Sequence, residues 1–128
     1  MNIALLGYGK MGKMVEQCIL KEQKHRIVLK VNSSNRHATT NDELKKADVA
    51  IEFSNPASAI ENIMWCFDAG IPLVTGTTGW YDQMESVKKA CDKKNGSMVF
   101  ASNFSIGVNI FFELNRKLGE LMKSRPEY

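Results

Sequence analysis

Six residues near the start, Gly7-Tyr8-Gly9-Lys10-Met11-Gly12, constrain what this chain can fold into more than any others. An apolar run from Asn2 to Leu6 precedes them, and Met11, Met14, Val15, Cys18 and Ile19 follow at the spacing of one helix face. The reading is strand, tight turn, amphipathic helix. Gly7 permits the turn, Gly9 lets the backbone approach a ligand, and Gly12 permits close packing of the helix on the strand. A strand that feeds a helix in this way returns by a right-handed crossover to a parallel neighbour.

The remaining pattern repeats that unit. His25 to Val31 alternates around Ile27, Leu29 and Val31 as a second strand, and a polar stretch from Asn32 to Asn41 leads to a short helix around Asp42 to Lys46. Asp48 to Phe53 forms a third strand. Asn55 and Pro56 then supply an N-cap and a first helical residue for a helix that carries Ile60, Ile63, Met64 and Phe67 and stops at Gly70. Ile71 to Val74 is a fourth strand, followed by the turn-rich Thr75 to Gly79 and by a helix marked by Met84, Val87, Ala90 and Cys91 that ends at Asn95 and Gly96. Met98 to Ala101 is a fifth strand. The last helix starts near Ser105, with Phe111, Leu114, Leu118, Leu121 and Met122 expected on its buried side. Apolar strands alternating with amphipathic helices imply a doubly wound, three-layer α/β fold with a parallel sheet, over residues 1–128 as one domain.

Composition narrows the function classes. With 44% hydrophobic and 24% charged residues the chain has the make-up of a folded globular domain. The net charge of +3 comes from lysines scattered in pairs, such as Lys45 and Lys46 or Lys93 and Lys94, which suit solvated helix faces better than a nucleic-acid stripe. Cys18, Cys66 and Cys91 lack the spacing of a metal site and are expected to be small buried thiols in a reducing compartment. No metal site and no nucleophilic triad is expected. Without an apolar run of signal or membrane-spanning length, the expectation is a cytoplasmic protein with no membrane partner.

Between a strand and a helix, the glycine pattern points to a dinucleotide-binding fold of Rossmann type, with the pyrophosphate held by free N–H groups at the helix N-terminus. The bland alternative is a glycine-rich turn that only connects two elements. Many such domains place a carboxylate on the ribose hydroxyls roughly 20 residues beyond the glycines. None lies between Gln23 and Asn41, where Lys30, Asn32, Ser33, Ser34 and Arg36 stand instead. A region without a carboxylate does not repel a 2′-phosphate, so NADPH is expected to bind at least as well as NADH. The open alternative makes Lys30 and Arg36 solvated surface charges.

Three further loops sit at strand ends: Glu52 to Pro56 (EFSNP), Thr75 to Trp80 (TGTTGW) and Ala101 to Asn109 (ASNFSIGVN). In this order behind the glycine turn, they resemble dihydrodipicolinate reductase, a family that reduces a cyclic dicarboxylate with NAD(P)H on the route to lysine and diaminopimelate. The resemblance covers nearly the whole chain, and GTTG with NFSIGVN is its specific part. From the motif itself Gly7, Tyr8, Gly9, Lys10, Met11 and Gly12 are expected to form the phosphate turn, with Asn32, Ser33 and Ser34 as cofactor contacts at the end of the second strand; the resemblance adds roles for the later loops. Phe53 and Ser54 would line the cofactor's path, and Gly76, Thr77 and Thr78 would pass the nicotinamide, with Thr78 also reaching a substrate carboxylate. Ser102, Asn103 and Phe104 would flank the nicotinamide. Turn chemistry is the competing reading of the loop residues, and Trp65 and Trp80 are expected to pack.

The chain departs from the family at Tyr8 and Lys10, where an extra glycine or an arginine is frequent, and in the missing acidic residue after the second strand. It also lacks the family's paired-histidine segment, the nearby lysine and the DAPSGT-like loop of the C-terminal substrate domain. The only histidines, His25 and His37, are isolated, so no catalytic residue is expected here. The expectation is therefore an N-terminal, cofactor-presenting piece that ends at MKSRPEY, inactive alone, with some apolar surface left uncovered and a tendency to associate; the family's tetramer forms through the missing domain. Two alternatives stay open: the cofactor domain of a homoserine or aspartate dehydrogenase, and a non-enzymatic dinucleotide sensor.

Overall fold

Alternation along β1 (Asn2–Leu6) sends Ile3 and Leu5 to one face of a sheet and Ala4 and Leu6 to the other, and all four are buried. A strand buried on both faces needs helices on both. In the computed structural model, which describes residues 1–125, the elements that follow are α1 (Lys10–Glu22), β2 (Arg26–Val31), α2 (Asn41–Leu44), β3 (Val49–Glu52) and α3 (Pro56–Ala69). Then come β4 (Leu73–Thr75), a short turn of tight helix at Tyr81–Gln83, α4 (Met84–Lys93), β5 (Met98–Phe100) and α5 (Ile106–Met122). All neighbouring strands pair in parallel, in the order β2-β1-β3-β4-β5, which is the doubly wound Rossmann-type arrangement.

The strand order reverses between β1 and β3, and a reversal of that kind opens a crevice at the carboxyl ends of the strands. Register aligns those ends: Leu6 lies beside Val31 on one side and Glu52 on the other, Glu52 beside Thr75, and Thr75 beside Phe100. Every loop at this edge therefore starts from one level.

Helix α1 covers one face through Val15 and Ile19, over Ile3, Leu5, Ile27, Val49 and Ile51. The larger core is on the other face, where Ala4, Leu6, Ala50 and Leu73 meet Leu44 of α2, Ala59, Ile63, Cys66 and Phe67 of α3, and Val87 of α4. Trp65 and Trp80 are buried in it, as expected of packing residues. Helix α3 starts and stops where its sequence says it should: the Asn55 side chain accepts a hydrogen bond from the Ser58 N–H at 3.0 Å, and Gly70 closes it with φ of 70°. Among the described residues no helix is long and apolar enough to cross a membrane.

Three expectations are corrected. The apolar side of α5 is not buried: Phe111, Leu114, Leu118, Leu121 and Met122 are all exposed, and the helix has no buried residue. Periodicity identifies an apolar face but not what lies over it, and no described element does. In α1 the stripe of Met11, Met14 and Cys18 faces outward. Close approach of Gly12 to the Gly7 carbonyl rotates the helix so that Gly12 and Ile19 point inward. Cys18 is accordingly exposed; Cys91, on α4, is half-buried, and Cys66 alone is the buried thiol expected of all three. The end of the MKSRPEY boundary, at 126–128, lies outside the described residues.

Candidate functional site

The glycine turn is built by two close approaches. Gly7 holds φ of +93°, a conformation that L side chains rarely adopt, and its missing Cβ leaves room for the Phe53 carbonyl at the end of β3. Its N–H and that of Tyr8 both donate to the Val31 carbonyl at 2.9 Å, which ties the turn to the end of β2. A Cβ on Gly12 would overlap the Gly7 carbonyl oxygen, so the helix packs tightly on its own turn.

Gly9 differs from both. Nothing lies within 4 Å of the place a Cβ would take, so the residue keeps a surface open and makes no packing contact there. It caps α1 without a side-chain hydrogen bond, and no acidic residue stands in the first turn. By contrast α3 and α5 are capped by the side chains of Asn55 and Ser105. The first N–H groups of α1 and its positive dipole end thus face an open concavity, the arrangement that binds an anion.

Two clefts adjoin at Gly9, Phe53 and Ser54. The first brings Gly7, Tyr8 and Gly9 together with Asn32, Ser33 and Arg36 after β2, and with Asn55, Ser58 and Asn62 of the loop and first turns of α3. The second runs from Lys10 and Met11 past Pro56 to Gly76, Thr77 and Thr78. Gly76 allows the loop after β4 to pass the Phe53 ring, where a Cβ would collide. Thr77 is buried, whereas Thr78 is exposed.

Beneath the junction lies Glu52, with no exposed surface. Its Oε1 accepts hydrogen bonds from the Ser54 N–H and the Thr77 hydroxyl, each at 3.0 Å, and from the Ser54 hydroxyl; its Oε2 accepts from the Thr75 hydroxyl. A buried carboxyl group without partners costs several kcal/mol, and these donors offset that cost. The chain of bonds continues outward: Asn62 Nδ2 donates to Ser54 Oγ at 3.3 Å, and Arg36 Nε donates to Asn62 Oδ1 at 3.2 Å. Burial, and then the charge of Glu52, push the Cys66 thiol up to about 12.

Lys30 and Arg36, the two cations singled out around the end of β2, are both engaged. Arg36 stacks on the Trp65 ring at 4.0 Å and pairs with Glu61 at 3.0 Å while it lines the first cleft. Lys30 points to α1, pairing with Glu16 and lying 5.1 Å over the Tyr8 ring. The Tyr8 hydroxyl also donates to Glu16, which ties this cleft residue to α1. The hydrogen bond from Lys30, then that from Tyr8, holds the Glu16 carboxyl below the usual carboxylate range.

Ser34 spends its hydroxyl on Asn32 Oδ1 in a local turn. Ser102 and Asn103 do not line either cleft; Asn103 accepts from the Ser105 N–H and, through its carbonyl, from Asn109. Phe104 meets Phe53 edge to face at 6.3 Å and otherwise lies beside α5. Sequence reasoning did not assign Asn62 or Glu52 to the site. The available signals were a polar residue within the apolar stripe of α3 and a carboxyl group ending an apolar strand.

The N-terminal family of dihydrodipicolinate reductase matches residues 1–104. The chain belongs to the dihydrodipicolinate reductase family. Within this family, the 4-hydroxy-tetrahydrodipicolinate reductase of Christiangramia forsetii is 47% identical over 128 residues, covering 100% of this chain and 52% of that protein. Its counterpart in Chromobacterium violaceum is 44% identical over 71 residues, 56% of this chain and 26% of that one. This member thus spans about half the length of the C. forsetii reductase. Among solved structures, a homoserine dehydrogenase from Thiobacillus denitrificans has a TM-score of 0.59 at 17% identity, over 78% of this chain and 29% of that one. A hyperthermophilic archaeal homoserine dehydrogenase mutant in complex with NADPH has 0.59 at 14%, over 76% and 42%. At such identities the likeness establishes the Rossmann-type fold of the reductase-family domain.

Proposed function

We propose that this chain is the cofactor-presenting half of a 4-hydroxy-tetrahydrodipicolinate reductase, an NAD(P)H-dependent oxidoreductase that forms tetrahydrodipicolinate for lysine and diaminopimelate synthesis. The observation that carries the reading is the uncapped N-terminus of α1 facing open space at Gly9, in a chain of this family. When bound, a reduced nicotinamide supplies a hydride. In this reading the turn from Gly7 to Gly12 holds the pyrophosphate, and Asn32, Ser33 and Ser34 meet the adenosine ribose. Phe53 and Ser54 line the path to the nicotinamide, which Gly76, Thr77 and Thr78 receive. Ser102, Asn103 and Phe104 close on it from the loop after β5.

The exposed Thr78 is free to meet a carboxylate of the cyclic substrate. His25 lies far from these loops, at the start of β2, with Nδ1 3.4 Å from the Met1 amine. Proton delivery and most substrate affinity accordingly belong to a substrate domain outside residues 1–128, through which the whole enzyme forms a homo-oligomer in the cytoplasm. Asn32 and Ser33 in the first cleft, without a carboxylate between Gln23 and Asn41, favour NADPH at least as much as NADH.

Parallel titration of the chain with NADPH and NADH, followed by nucleotide fluorescence, tests the reading. Saturable binding is expected with both, and Gly9→Asp should abolish it while the protein stays folded. That aspartate finds open space and favours the helix N-terminus, but sets a negative charge where the phosphates bind. Binding unaffected by Gly9→Asp would overturn the site, and NADH binding tenfold tighter than NADPH would overturn the preference.

A further inference from the structure

We propose that Glu52 is a positioning residue that sets the two cofactor loops against each other, so that the nicotinamide end of the site depends on a carboxyl group the cofactor never touches. The inference rests on the cofactor reading above and assigns a role to a residue outside the clefts themselves.

Glu52 ends β3 and is fully buried, beside Thr75 at the end of β4. From there it reaches both loops. Its Oε1 accepts from the Ser54 N–H and from the Thr77 hydroxyl, while that same hydroxyl accepts from the Ser54 N–H at 2.9 Å. One oxygen, one hydroxyl and one N–H thus join the loop after β3 to the loop after β4. The Glu52 backbone adds to this, because its carbonyl accepts from the Gly76 N–H at 3.0 Å. Gly76 also runs close to the Phe53 ring, which a Cβ would force to move, so the loop after β4 lies directly against the end of β3.

The chemistry selects a carboxyl group. Four hydrogen bonds are donated to Glu52, three to Oε1 and one to Oε2, so both oxygens serve as acceptors. An amide in its place turns one acceptor into a donor: in one orientation it faces the Thr75 hydroxyl, in the other the Thr77 and Ser54 hydroxyls and the Ser54 N–H, so at least one donor of this network loses its acceptor. Thr77 carries the join between the loops, because its hydroxyl both donates to Glu52 and accepts from the Ser54 N–H. Glu52 is buried away from solvent, so it acts through Ser54 and Thr77.

The test compares each reduced dinucleotide with its fragment lacking nicotinamide: NADH with ADP-ribose, and NADPH with 2′-phospho-ADP-ribose. Wild-type chain is expected to bind the dinucleotides more tightly than the fragments, with a shift in nicotinamide fluorescence. Glu52→Gln should weaken the dinucleotides about tenfold, the order of effect of losing one hydrogen bond to a charged group, and move the fragments less than about twofold. Thr77→Val, which keeps the volume and removes the shared hydroxyl, should give the same split even if Glu52→Gln does not fold, and Thr77→Ser should restore wild-type binding. Equal weakening of dinucleotide and fragment, or no weakening of either, would overturn the positioning role. Failure of wild-type protein to bind any of the four nucleotides would instead overturn the cofactor reading, and this inference with it.

Discussion

Gly7 and Gly9 stand two positions apart in one motif and are required for opposite reasons. At Gly7 the backbone has φ of +93° and a Cβ would overlap the Phe53 carbonyl, which belongs to the main chain and cannot swing aside. Gly7→Ala therefore adds backbone strain to a steric collision, and a stability loss of about 3 kcal/mol or more is expected from urea unfolding. Gly9→Ala meets open space and should stay within about 1 kcal/mol of wild type, the range of a changed N-cap. Glu16 gives a pH-dependent counterpart. Its carboxyl is held below its ordinary range by Lys30 and then Tyr8, so the folded state favours the ionised form. The resulting stabilisation is present above the unfolded carboxylate range and is lost as pH falls through the lowered folded value. Unfolding curves of wild type and Glu16→Gln should differ near neutrality and converge on acidification; a constant difference down to acid pH would show that the charge is not the cause.

At the level of elements, what the sequence made legible was local. Helix α3 shows why: the Asn55 cap, Pro56 and the closing Gly70 are all within one element, and each sits where its chemistry requires. Asn55→Ala should cost about 1 kcal/mol in thermal or urea unfolding, and Asn55→Ser should recover most of it. The face of α1 that packs was legible only in part: Val15 and Ile19 pack as their spacing says, whereas Met11, Met14 and Cys18 turn outward because the contact between Gly12 and the Gly7 carbonyl sets the rotation. The site divides in the same way. The glycine turn could be read from spacing alone, and the loops after β3 and β4 from their place at strand ends. The link between those loops could not, since Glu52 meets Thr75 and Thr77 only through the register of two strands separated by a whole helix.

For the molecule as a whole, the unresolved balance is apolar surface. Strand β5 is one edge of the sheet, and it exposes Val99 and Phe100. Beyond it α5 exposes Ile106, Ile110, Leu114, Leu118 and Leu121, while Arg116 pairs with Glu113 and Glu120. Contiguous apolar residues of this number exceed the scattered ones a monomer normally carries. Tertiary burial is what stabilises most helices, so α5 gains more from association than any other element. The chain is therefore expected to show a mass that rises with concentration in sedimentation velocity, accompanied by a gain in helical circular dichroism. Replacing Ile110 and Leu114 together by glutamate should suppress the rise. Neither residue lines the clefts at Gly9, so nucleotide binding should persist in that variant. A mass independent of concentration in the wild-type chain would mean that α5 satisfies its apolar face within one copy, against the sheet face that α1 leaves open around Val99.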